Sequence, residues 1–142
     1  MPDGLFGIEY ATGEKKTYRF FALEADRGTM PIVRSNQGQT SYLRKLAAYG
    51  EIIENGIHKS HLGIPNLLVL TVTTNSHRAM EIMRRFESQR CAASAFLFKS
   101  MGPSSTTFRA FQDVFDTWQR VGFGPVGIDI QRWDDLLRQS WR

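Results

Sequence analysis

Thr17-Tyr-Arg-Phe-Phe-Ala-Leu-Glu-Ala-Asp26 is the stretch whose reading decides the fold. From Tyr18 to Ala25 it is mostly apolar or aromatic, the pattern of a strand buried on both faces. Yet it closes on two carboxylates, Glu24 and Asp26, two positions apart. Side chains alternate across a strand, so both acids point to one face. Two acids on a buried face need charge compensation, and a divalent cation with its preference for carboxylate oxygens is one compensator.

Working outward, Pro2-Asp3-Gly4 reads as a turn and residues 5–10 as a short strand. A polar loop over 11–16 leads into the decisive strand, and the two strands are expected to pair antiparallel. The start of the first then lies beside the end of the second, bringing Asp3 toward Glu24 and Asp26. Residues 27–31 form a turn and 32–38 an exposed loop. Thr40 or Ser41 caps a helix that runs to about Asn55 and stops at Gly56. Its apolar stripe is Tyr42/Leu43, Leu46, Tyr49/Gly50 and Ile53, and Lys45 and Tyr49, four apart, share its margin.

Residues 57–66 read as a loop with His58 and His61. Residues 67–74 are apolar and β-branched on both faces, the mark of a central parallel strand. Asn75 or Ser76 caps a helix to about Gln89, with Ala79/Met80, Met83 and Phe86 inward and Arg78, Arg84, Arg85 and Arg90 outward. Residues 94–99 make a further strand. A Gly/Pro/Ser loop follows over 101–107, then a short helix or extended docking segment over 108–121. Residues 122–127 read as a turn-rich break and 132–141 as a terminal amphipathic helix led by Trp133, Leu136 and Leu137. The expected fold is a single α/β domain over 1–142, with a core to about residue 100 and a helical or irregular extension over 101–142. Its mixed central sheet carries helices on both faces.

Composition narrows the function classes. The 142 residues are 42% hydrophobic and 23% charged, ordinary for a globular chain long enough to bury a core. No apolar run approaches the roughly 20 residues that span a bilayer, and no signal-peptide pattern opens the chain. Cys91 is the lone cysteine, which excludes an internal disulfide and suits a reducing cytoplasm. Eighteen Lys and Arg against 14 acids give a net charge of +4, a mild bias toward polyanions.

Two readings of the acids stand side by side. In one, Asp3, Glu24 and Asp26 hold Mg²⁺ or Mn²⁺ that activates water against a phosphodiester. In the other, Asp3 is a turn residue and Asp26 a strand-end acid paired with Arg27 or Arg34. Likewise Arg78, Arg84 and Arg85 either track DNA phosphates or form a solvated face with Glu81. Trp118, Phe123, Trp133 and Trp141, near Arg109, Arg120, Arg132 and Arg138, either stack on bases or pack in the core or against a partner. The histidines are too few for zinc. Gly122-Phe-Gly-Pro-Val-Gly127 fits the glycine spacing of a dinucleotide loop but follows no expected strand and is interrupted by Pro125.

Pro2-Asp3 followed by an apolar strand ending Glu24-Ala-Asp26 resembles the PD-(D/E)XK nuclease superfamily. Phe20-Phe-Ala-Leu-Glu-Ala-Asp-Arg-Gly-Thr29 with Lys45-Leu-Ala-Ala-Tyr49 more specifically resembles the bacterial plasmid replication-relaxation family. The likeness covers about residues 2–74. It implies a restriction-endonuclease-like core without its first helix and strand, and a Mg²⁺- or Mn²⁺-dependent endonuclease acting on DNA. Asp3 and Glu24 match the superfamily's metal ligands, and the Ala25 carbonyl falls where a third ligand is usual. Position 26 departs from the pattern, holding Asp where the superfamily has the lysine that orients water. Lys45 on the following helix, supported by Tyr49, is the candidate for a migrated lysine. The alternative implied by the departure is an inactive nuclease fold that binds DNA or a protein, an inhibitor of a host nuclease or defence complex included. A homo-oligomeric or protein contact through the Trp-rich C-terminus belongs to either.

Overall fold

A two-residue turn builds the first half of the sheet. In a computed structural model that describes residues 1–35, 41–88, 93–101 and 117–128, strand β1 (Gly4–Thr12) pairs antiparallel with β2 (Lys15–Asp26). The register runs from Gly4 opposite Leu23 to Thr12 opposite Lys15. Gly13, at φ 62°, opens the reversal, a conformation that an L side chain resists. The strands therefore reach further into the polar loop than its composition suggests.

From β2 the chain makes two parallel crossovers. Helix α1 (Tyr42–Glu54) leads to β3 (Leu68–Thr73), and α3 (Ser76–Glu87) leads to β4 (Phe96–Ser100) by way of a 3₁₀ turn at Ala93–Ala95. A short helix α2 (Ile57–Leu62) occupies the expected loop, bounded by Gly56 and Gly63, both left-handed. No side chain caps α2, so the usual start signal is missing from the sequence; burial of His58 holds it instead. Strand β3 runs parallel to both β2 and β4, as its two-sided apolar character requires. Among the described residues the sheet ends with β5 (Thr117–Arg120), antiparallel to β4, and β6 (Phe123–Gly127), antiparallel to β5, and the six strands lie in chain order.

These last strands replace the described end, residues 117–121, of the expected helix or docking segment, and the expected break. Gly122 at φ 73° turns the chain between them, and alternating burial along β5, with Trp118 and Arg120 inside, is a strand's signature. The expected loop and segment over 102–116, the helix over 132–141 and Cys91 lie outside the described residues.

Both long helices lie on one face of the sheet. α1 reaches Glu24 and Thr71, α3 reaches Asp26, and α1 and α3 touch. Two successive right-handed crossovers that advance in the same direction deliver their helices to the same side. Helices on both faces are thus not found among the described residues. On the helix face Leu46, Ile53, Ile82 and Phe86 are buried, and the Phe86 ring meets Phe96 and Phe98 at 4.6 and 6.2 Å. α3 buries Ala79 and Phe86 as expected, adds Ile82 with Met83 half-buried beside the core, and leaves Met80 70% exposed. On the other face Phe6 stacks on Phe21 at 5.3 Å, and Leu70, Leu97 and Trp118 are buried. Trp118 is thus a core residue, with the Lys99 ammonium 5.6 Å from its ring centroid. The Tyr10 hydroxyl donates to the Ile128 carbonyl, tying the first strand to the chain beyond the last. No helix among the described residues is long and apolar enough to cross a membrane.

Candidate functional site at the end of the second strand

The C-terminal ends of β2 and β3 lie side by side, with Glu24 opposite Thr71 and Asp26 opposite Thr73. In a sheet with parallel crossovers, this is the end where loops and helix starts converge and ligands bind. Four side chains there, Glu24, Asp26, Thr71 and Thr73, are buried beneath the helices.

Glu24 is 1% exposed. One carboxylate oxygen accepts a hydrogen bond from the Tyr49 hydroxyl, and the other meets the Lys45 ammonium in an ion pair. Both partners come from α1, whose 3.6-residue period sets positions 45 and 49 on one face, one turn apart. Ser41 starts that helix by accepting from the Arg44 amide at 3.4 Å. Burial, followed by the hydrogen bond to and charge of Glu24, pushes the Tyr49 hydroxyl far above its ordinary range. Tyr49 therefore stays a neutral donor. Tyr42, two turns earlier on the same stripe, is likewise pushed up, chiefly by burial, and donates to Thr71 Oγ1 at 3.4 Å. Lys45 keeps 30% of its side chain in solvent, beside a hollow of about 150 Å³ lined by Met1, Lys45, Ala48, Tyr49 and Ile52.

Asp3 sits where the hairpin was expected to put it. Its amide donates to the Leu23 carbonyl at 3.0 Å, and its Oδ2 accepts from the Ala25 amide at 2.8 Å. Asp3, Glu24 and Lys45 thus gather around one peptide segment, Asp3 exposed and Glu24 sealed.

Asp26 behaves differently from its neighbour. Its side chain is 2% exposed and holds Arg78 bidentately, through Nε and through Nη2 at 2.9 Å. The Gly28 amide also donates to it, at 3.1 Å. The partner is neither Arg27 nor Arg34. Arg78, expected on the outer side of α3 among phosphates, turns inward, and its hydrogen bonds to Asp26 raise its pKa further. The parallel register carried the missed signal: a residue just past β3 must lie near Asp26, and Arg78 is in the first turn after the Asn75 cap. Of the other expected phosphate contacts, Arg85 pairs with Glu81 at 3.0 Å, the solvated-face pairing. Arg84 remains exposed, lining a groove with His77, Met80 and Glu81.

Among the described residues, no three His, Cys, Asp or Glu side chains form a group that could hold a metal by themselves. With Asp26 engaged by Arg78, the other carboxylates at this end of β2 are those of Asp3 and Glu24. They flank Ala25, whose carbonyl belongs to the same segment. An all-oxygen set of two carboxylates suits a hard cation such as Mg²⁺ or Mn²⁺ completed by water. Comparison of the chain with family models, with curated proteins and with solved structures gave no match.

Proposed function

We propose that the Glu24 site is a Mg²⁺- or Mn²⁺-dependent phosphodiester-hydrolysing centre acting on DNA, the endonuclease-like domain of a plasmid or mobile-element replication and relaxation protein. The observation that carries this reading is the Lys45–Glu24 pair: a lysine supplied by α1 meets the buried acid at the end of β2. Position 26, where the resembled superfamily places its lysine, is given over to Arg78.

Asp3 and Glu24 would hold the ion, with the Ala25 carbonyl between them. A bound Mg²⁺ or Mn²⁺ supplies Lewis-acid polarisation of the phosphate and a lowered pKa for the attacking water. Tyr49 fixes the Glu24 rotamer through a hydrogen bond that survives across the working pH range, because burial keeps its proton on. Lys45 has a solvent-reaching ammonium, so it can orient water and meet negative charge growing on the phosphate oxygens. Asp26 and Arg78 neutralise each other and support the segment from beneath. The chain's net charge of +4 favours approach to DNA.

The test is nicking of supercoiled and single-stranded DNA in Mn²⁺ by the wild type and by Lys45→Met. Removing one preorganised donor of this kind lowers kcat by about 100- to 1,000-fold. Equal rates for the two proteins would end the assignment.

One observation favours a second reading, a nuclease fold that binds DNA or a protein without cutting. Both Glu24 oxygens already have partners within the chain, so the fold is charge-balanced without a metal. That reading expects binding indifferent to chelator and to Lys45→Met.

A further inference from the structure

We infer that Arg27 is a backbone-phosphate contact for the DNA, presented by a loop that the Asp26–Arg78 pair locks in place; the inference rests on the DNA-directed reading of the Glu24 site. The loop over residues 27–30 leaves β2 at the end of the sheet where that site lies. Its backbone is pinned along its length. Asp26 Oδ1 accepts from the Gly28 amide at 3.1 Å, and Arg78 Nη2 spans the loop, reaching Asp26 Oδ1 at 2.9 Å and the Met30 carbonyl at 2.6 Å. Beyond it, the Pro31 and Ile32 carbonyls accept from the Tyr42 and Leu43 amides at 3.0 and 3.1 Å, satisfying two donors that the start of α1 would otherwise leave open. Gly28 makes the reversal at φ 76°. A Cβ there would meet Arg78 Cδ and Nε only at an ordinary 3.8 Å, so the backbone angle, and not space, requires glycine.

Against this rigid frame, the Arg27 side chain is exposed and makes no ion pair or hydrogen bond among the described residues. The reason lies in its neighbours. An arginine next to a carboxylate ordinarily folds onto it, but Asp26 is already filled by Arg78 and buried. Glu24 is likewise filled by Lys45. Among the described residues Arg27 is left as an uncompensated cation at the rim, three residues along the chain from the proposed catalytic acid. A guanidinium fork matches phosphate geometry bidentately. A loop already ordered by the fold spares most of the ordering entropy that binding through a mobile loop would cost.

The experiment is fluorescence anisotropy with a short labelled DNA duplex, run in EDTA across a salt titration. Arg27→Ala is expected to weaken binding at least threefold at low salt and to reduce the slope of log K against log salt by about one. Its melting temperature should not move, because the side chain is exposed. Arg27→Lys should keep the slope. Gly28→Val retains every charge but is strained at a positive φ, and is expected to lose affinity as Arg27→Ala does. Wild-type affinity and slope in Arg27→Ala would overturn the phosphate contact, and wild-type affinity in Gly28→Val would overturn the role of the locked loop. Cleavage plays no part in EDTA, so either result leaves the Glu24–Lys45 chemistry standing. A wild-type chain that binds no DNA overturns both.

Discussion

Glu24→Ala is expected to abolish metal-dependent DNA cleavage while leaving the fold intact. The loss removes one of the two carboxylates that would hold the ion. Metal-centred charge stabilisation is worth several kcal/mol, and each 1.36 kcal/mol is tenfold in rate. The expected decrease is therefore roughly 1,000- to 10,000-fold, read in single-turnover nicking of supercoiled DNA with Mn²⁺. The stability expectation follows from burial. The Lys45 side chain is already 30% exposed, so without Glu24 its ammonium can turn into water. Only the Tyr49 hydroxyl stays behind with a lost partner, at a cost of about 1–3 kcal/mol, and relief of Glu24 desolvation offsets part of it. A folded, inactive variant is the expected pair of findings, checked by urea unfolding alongside the cleavage assay.

Arg78→Ala should do the reverse and destabilise the domain. Here the residue left behind is Asp26, whose side chain is 2% exposed and would retain, among the described residues, only the Gly28 amide as a donor. Removing one partner of a buried ion pair costs about 3–5 kcal/mol, because the other charge is stranded without water. The same guanidinium donates to the Met30 carbonyl, so the loop over 27–30 loosens as well. Urea unfolding measures the loss. Replacing both members, Asp26→Leu with Arg78→Leu, should recover much of it, since nothing charged is then buried. A single variant as stable as the wild type would mean that Asp26 reaches water or another cation, contrary to its burial under Arg78.

The two acids of one strand thus have different partners, and the contrast marks where the sequence was legible. Alternation placed Glu24 and Asp26 on one face, hairpin pairing placed Asp3 beside them, and helical spacing placed Lys45 and Tyr49 together. All are short-range periodicities, and all appear in the structure. The partner of Asp26 was not legible, because it is set by tertiary register between β2 and β3 and by a helix start fifty-two positions away. A charge count along the chain makes Arg78 one more surface arginine. On α3, Ala79 and Phe86 were legible from the helical period, whereas Ile82 was not and Met80 competes with Ala79 on hydrophobicity alone. At the sheet's far side, Gly122 to Gly127 is rich in turn formers and reads as a break, yet pairing with β5 makes residues 123–127 a strand. The one-sided placement of α1 and α3 came from crossover handedness, which no local pattern carries.

The most direct measurement is a crystal soaked in Mn²⁺, read by anomalous scattering. The expected result is a single peak between the Asp3 and Glu24 carboxylates, against the Ala25 carbonyl, with the Lys45 ammonium moved off Glu24 to make room. An unbroken Lys45–Glu24 pair with no manganese beside it would contradict a metal-dependent centre at the end of β2.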